Sequence, residues 1–222
     1  MKYKKLLVAV TSGRIFSLGL ALSQATNAEV SASAAVSSLY LWRGQNISDG
    51  SPAVSGELKY KESGFYTGIW GSSGDDTLGN EYDLFGGWGG EFEGIRVDAS
   101  LWNYVYPDGN TTDDTFGDLS EVVLGLGYGP VTFTYYDNIA GATGYEYYTL
   151  SGDYAQFNAL LGISDSAAAD SDYMHLNLKY NYNANLSFTL AKIIDDDAED
   201  TASELDHDPN FVVSYSLPLD LK

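Results

Sequence analysis

Val54-Ser55-Gly56-Glu57-Leu58-Lys59-Tyr60-Lys61 decides the fold. Val54, Gly56, Leu58 and Tyr60 share one face of an extended segment, and Ser55, Glu57, Lys59 and Lys61 share the other; only a period of two does this. The same split recurs at Ile95, Val97, Ala99 and Leu101 against Arg96, Asp98 and Ser100. It recurs again at Val122, Leu124, Leu126 and Tyr128 against Glu121, Gly125 and Gly127, and at Met174, Leu176, Leu178 and Tyr180 against His175, Asn177 and Lys179. Further strands are predicted at about 30–41, 65–72, 81–90, 131–137, 145–154, 157–163, 186–194 and 210–217, roughly twelve in all.

The connections say how such strands assemble. Lys61-Glu62-Ser63-Gly64, Glu91-Phe92-Glu93-Gly94, Gly129-Pro130, Ala155-Gln156 and Asn183-Ala184-Asn185 read as tight turns. Between them lie longer connections at 43–51, 72–80, 107–118, 137–144, 164–172 and 195–208. Short turns alternating with long loops, on strands with one apolar and one polar face, predict an antiparallel up-and-down barrel that crosses a bilayer, apolar side chains to lipid and polar ones to the lumen. Both chain ends then fall on the short-turn side, expected to be periplasmic. A soluble periplasmic β-sandwich is the competing fold, but it has no reason to alternate its loop lengths.

The first 28 residues read as an export signal. Lys2, Lys4 and Lys5 precede an apolar run from Leu6 to Leu22 that Arg14 interrupts, and Thr26-Asn27-Ala28 offers a cleavage site. Residues 29–222 then form a single barrel domain. The chain has no cysteine, which excludes disulfides, thiol catalysis and cysteine-ligated zinc. Its formal charge of −20 repels phosphate backbones, so no nucleic-acid partner is expected; cations and small polar solutes are the natural partners, with outer-membrane lipid and the outer-membrane assembly machinery. The long loops carry most of the acidic residues, including Asp75-Asp76, Asp113-Asp114 and the stretch Asp195, Asp196, Asp197, Glu199 and Asp200, and their one basic residue is Arg43. The stretch at 195–208 lacks the ligand spacing of a calcium-binding hand, and no metal or cofactor is expected.

The inward set offers the lumen candidates: Arg43, Glu57, Lys59, Asp83, Arg96, Asp98, Glu121, His175 and Lys179. Arg43 is expected to point into the mouth and pair with Glu57, Asp83 or Asp98, bracing the first loop. About twelve strands fall between the eight that side chains just fill and the sixteen that leave an open channel, so the interior is either salt-bridged or a narrow wet passage. Trp42, Trp70, Trp88, Trp102, Tyr104, Tyr106, Tyr135 and Tyr147 are expected to form two interfacial girdles; an inward row of Trp102, Tyr104 and Tyr106 would instead suit solute stacking. Catalysis is not expected: His175 points inward, His207 sits in an acidic loop, and no nucleophile elbow is present.

Leu39-Tyr40-Leu41-Trp42-Arg43-Gly44-Gln45-Asn46-Ile47-Ser48-Asp49-Gly50-Ser51-Pro52-Ala53-Val54, followed by Gly64-Phe65-Tyr66-Thr67-Gly68-Ile69-Trp70-Gly71-Ser72, resembles the opening of the TorF family of porin-like proteins. The similarity runs on through Glu81-Tyr82-Asp83-Leu84-Phe85-Gly86-Gly87-Trp88. It implies a bacterial outer-membrane barrel acting as a passive channel, without naming a solute. This chain departs from many such barrels by ending on Leu221-Lys222 rather than an aromatic residue, although Phe211, Val213, Tyr215 and Leu217 keep the alternation. The other reading is a closed structural or surface-interaction barrel with ion-binding acidic loops.

Overall fold

The computed structural model describes residues 28–75, 78–108, 115–142, 144–167, 172–197 and 205–219. The expected leader, apart from Ala28, lies outside the described residues, as do Asp76, Asp113, Asp114, Glu199 and Asp200. The described elements are all strands: β1 (Glu29–Ser37), β2 (Leu41–Trp42), β3 (Gln45–Asn46), β4 (Ala53–Glu62), β5 (Phe65–Asp75), β6 (Gly79–Phe92), β7 (Ile95–Val105), β8 (Leu119–Tyr128), β9 (Val131–Ala140), β10 (Tyr145–Tyr154), β11 (Phe157–Ser166), β12 (Tyr173–Asn181), β13 (Leu186–Asp196) and β14 (Asn210–Leu219). β2 and β3 form a small hairpin, and the other twelve close into an antiparallel barrel in chain order. Closure runs through β1, where Val36 stands opposite Val54 of β4 on one side and Tyr215 of β14 on the other.

The turns are as tight as their residues demand. Ser63, Glu93 and Ala155 adopt left-handed φ values of 52°, 51° and 52°, and Gly64 and Gly94 follow the first two with φ of 87° and 83°; this is the geometry of turns that match strand twist. All five turns lie at one end of the barrel, and Glu29 and Leu219 lie there too. Three connections differ from expectation. β5 and β6 extend to Asp75 and from Gly79, shortening the loop read at 72–80, and β9 runs on to Ala140, shortening the loop read at 137–144. The strand read at 30–41 stops at Ser37, after which the chain turns into the barrel instead of continuing outward.

The two faces sort as the alternation requires. Leu58, Leu101, Leu124, Leu126, Leu150, Leu178 and Leu190 are exposed on the outer wall, while Ser100, Thr132, Thr134, Thr149, Asn177 and Ser187 are buried within. The interior is lopsided. Serine and alanine line the wall of β1, β13 and β14 (Ser37, Ala191, Ser214, Ser216), whereas Trp70, Phe85, Trp102, Tyr104, Tyr136 and Tyr147 fill it from β5 to β10. Phe85 stacks on Trp102 with ring centroids 4.3 Å apart and lies over Gly68, where an added Cβ would sit 2.4 Å from the Phe85 ring.

This corrects the girdle expectation. Trp70, Trp102, Tyr104, Tyr106 and Tyr147 are buried inside and Trp42 belongs to the inner hairpin. Of the eight, Trp88 and Tyr135 face outward, in register with exposed Phe65 and Leu124. The strand parity already required this, since Trp102 and Tyr104 share a face with Asp98 and Ser100. The outward aromatic band at the turn end consists instead of Phe65, Phe92, Tyr128, Tyr154, Phe157 and Tyr182.

Gly68→Ala tests the aromatic packing of the wall. The new methyl would also approach the Leu58 carbonyl to 2.6 Å, so a loss of about 1–3 kcal/mol is expected in denaturant unfolding, while an unchanged midpoint would show the contact to be loose.

Candidate functional site

The connection from β1 to β4 folds into the lumen. Leu41 pairs with Asn46 and Trp42 with Gln45, leaving Arg43 and Gly44 as the central residues of a two-residue turn, with φ of 46° and 86°. Positive φ at both positions is the primed turn that a right-twisted hairpin needs, and glycine supplies the second without strain. The stem is locked locally. Ile47 N donates to Tyr40 O at 3.0 Å, Tyr40 N donates to Ser48 Oγ at 2.8 Å, and Asn46 Oδ1 accepts from Ser48 N at 3.2 Å.

The hairpin touches most of the circumference. Leu39 and Leu41 pack on Ala191 and Val212. Tyr40 packs near Trp70 and its hydroxyl donates to Glu81, which Tyr106 also reaches at 3.0 Å. At the tip, Arg43 Nη2 donates to Glu121 Oε1 at 2.6 Å, with both side chains almost wholly buried. Tyr104 holds the other carboxylate oxygen, donating to Glu121 Oε2 at 2.6 Å. Arg43 Cζ lies 4.9 Å from the Trp42 ring, 5.1 Å from Tyr136, 5.0 Å from Tyr145 and 4.4 Å from Tyr147. A guanidinium is weakly hydrated and attracted to ring faces, so rings replace the water it loses.

Beside it, Gly44 lies flat on His175, where an added Cβ would stand 2.4 Å from the ring. His175 is fully buried, with Nε2 2.7 Å from the Tyr147 hydroxyl and Nδ1 3.0 Å from Asn177 Oδ1. Tyr173 donates to the Arg43 carbonyl at 3.1 Å. Irregular strand pairing aims both receptors. Between Ser120 and Glu121 the register with β9 slips past Ile139, and between Met174 and His175 the register with β13 slips past Ile194. A bulge re-aims the side chain beside it, and here the two bulges adjoin the two residues that receive the hairpin tip.

The lumen candidates therefore divide. Arg43, Asp83, Glu121 and His175 are buried in the interior; Arg43 does turn inward and brace the first loop, but its partner is Glu121, not Glu57, Asp83 or Asp98. Glu121 is the carboxylate its tip can reach, because Glu57 and Asp98 stand nearer the turn end of their strands. Towards that end Glu57, Lys59, Arg96, Asp98 and Lys179 are half-exposed. Lys59 Nζ lies 4.1 Å from the Tyr66 ring centroid, and Tyr66 donates to Asp98 at 2.7 Å. Arg96 fastens a turn, donating to Gly129 O at 2.9 Å. The sequence reading missed Tyr136, Tyr145 and Tyr147 as partners of Arg43 and Tyr104 as the partner of Glu121, although all four share the polar parity of their strands.

In the acidic loop, Asp195 and Asp196 belong to the end of β13 and Asp197 follows it; Asp196 Oδ2 lies 2.8 Å from His207 Nε2. Among the described residues no group of three or more His, Asp or Glu side chains is arranged to hold a metal ion.

Residues 21–212 match the model of a family of bacterial proteins of unknown function, Gcw_chp, and the chain belongs to that family. No curated protein matches it.

The ion pair is testable by a double-mutant cycle. Arg43→Met or Glu121→Gln alone strands a buried partner and is expected to cost about 3–5 kcal/mol in unfolding. The double variant should cost clearly less than the sum, and strict additivity would show that the two groups do not interact.

Proposed function

We propose that this Gcw_chp member is a bacterial outer-membrane channel of the porin kind, with the first loop as its constriction, passing small polar solutes or ions and preferring cations. One observation carries the reading: a closed barrel whose exposed wall is apolar, from Val54 and Leu58 round to Leu190 and Leu217, and whose interior holds the polar and charged side chains together with aromatic rings. That inversion suits hydrocarbon outside and water inside. The aromatic band of Phe65, Phe92, Tyr128, Tyr154 and Phe157 suits the headgroup zone at the short-turn end, which the export signal would place in the periplasm. The half-exposed charges Glu57, Lys59, Asp98 and Lys179 line the turn-side lumen, and the acidic loops gather cations at the other mouth. The TorF resemblance of residues 39–72 points the same way. Catalysis has no part in this reading, since His175 is engaged by Tyr147 and Asn177 and His207 by Asp196.

A second reading is favoured by how deeply the hairpin is seated: a closed surface barrel. On its outer wall near the loops Asp137, Glu146 and Asp165 stand side by side in register. Tyr135 and Tyr148 donate to Glu146, but like charges in register on neighbouring strands still repel one another, and divalent ions bridging them to lipid phosphates would relieve this.

Planar-bilayer recording of the refolded protein in a KCl gradient separates the two. Stable unitary steps with a reversal potential displaced towards that of the cation are expected. Silence from heat-modifiable protein would favour the closed barrel, and displacement towards the anion would remove the cation preference.

A further inference from the structure

We propose that the pocket around Arg43 is a binding site for organic cations of the guanidinium class, filled in this structure by the chain's own arginine as an internal ligand. Three wall rings, Tyr136, Tyr145 and Tyr147, stand within 5.1 Å of Arg43 Cζ, and Glu121, held by Tyr104, supplies the counter-charge. All five belong to β7, β8 and β10 or to β9 between them, not to the loop, so withdrawal of the hairpin removes Trp42 and leaves the remainder of the cage in place.

The way Arg43 is held is unspecific to the chain. Its Nη1 is buried with no hydrogen-bond partner, and recognition rests on Nη2 against Glu121 and on ring faces. A planar cation on a short alkyl stem offers the same features. The acidic loops raise the local concentration of such cations. Arg43 is thus both brace and competitor: a solute of this class displaces it from Glu121 and frees the hairpin. The inference rests on the channel reading only for the route by which the solute arrives and leaves.

The test uses n-propylguanidinium chloride against NaCl at equal ionic strength. Calorimetric titration of Arg43→Ala protein in detergent micelles should show saturable binding with half-saturation on the order of millimolar. Binding should be about tenfold weaker in the wild-type protein, whose site is filled, and in Arg43→Ala/Glu121→Gln. No saturable binding to Arg43→Ala, or equal binding to the double variant, would overturn the proposal. Should Arg43→Ala not refold, Ser48→Cys in the otherwise cysteine-free chain decides. Ser48 is buried beside the hairpin, and n-propylguanidinium should speed its maleimide labelling several-fold over NaCl; equal rates would overturn the proposal. Binding to a barrel that never conducts would keep this site and remove the channel, and a conducting barrel without binding would do the reverse.

Discussion

A barrel of twelve strands is wider than its own wall can fill. Eight strands enclose a space that inward side chains just occupy, and each further pair of strands widens it. This chain meets the constraint in two ways. Large aromatic side chains project from β5 to β10, where Phe85 and Trp102 stack face to face, and the first loop turns inward to fill what they leave. The small side chains of β1, β13 and β14 are the counterpart: serine and alanine at Ser37, Ala191 and Ser214 leave room for Leu39 and Leu41. Lopsided walls and inserted loop are one solution to one problem of volume.

Inserting a loop brings its backbone and its charge along. The hairpin satisfies part of its backbone internally, through Tyr40, Ile47 and Ser48, and Tyr173 reaches the Arg43 carbonyl. Removing a guanidinium from water costs several kcal/mol unless a counter-charge and polarisable neighbours replace the solvent. Glu121 and the surrounding rings do so, and Tyr104 orients the carboxylate. The bulges at Ile139 and Ile194 show that the wall itself is adapted to this, because each interrupts regular pairing next to a residue that receives the tip.

Much of this was legible in the sequence. Period-two alternation located all twelve barrel strands, and loop lengths gave the hairpin order and the common end at which β1 begins and β14 finishes, since both signals are local. The same parity sends Trp102, Tyr104 and Tyr147 inward, so the girdle expectation failed by letting the usual place of tryptophan and tyrosine outweigh the strand that carries them. The partner of Arg43 was not legible. Glu57, Asp98 and Glu121 all face inward, and choosing among them needs the height of each along a tilted strand and the depth of the loop. The inward course of the loop had one local sign, Arg43-Gly44 between Trp42 and Gln45, a hairpin turn inside what read as a plain connection.

A filled lumen also sets what a channel here would be: a passage whose narrowest part is a movable segment tied to the wall by one ion pair and a bed of rings. The most direct measurement is hydrogen exchange by mass spectrometry on the full chain in detergent micelles, following the segment 38–48. A hairpin seated on Glu121 and His175 requires the amides of Tyr40 and Ile47 to exchange slowly, on the scale of the barrel strands. Exchange of that segment at the rate of an unstructured peptide, with the strands protected, would contradict an inserted loop.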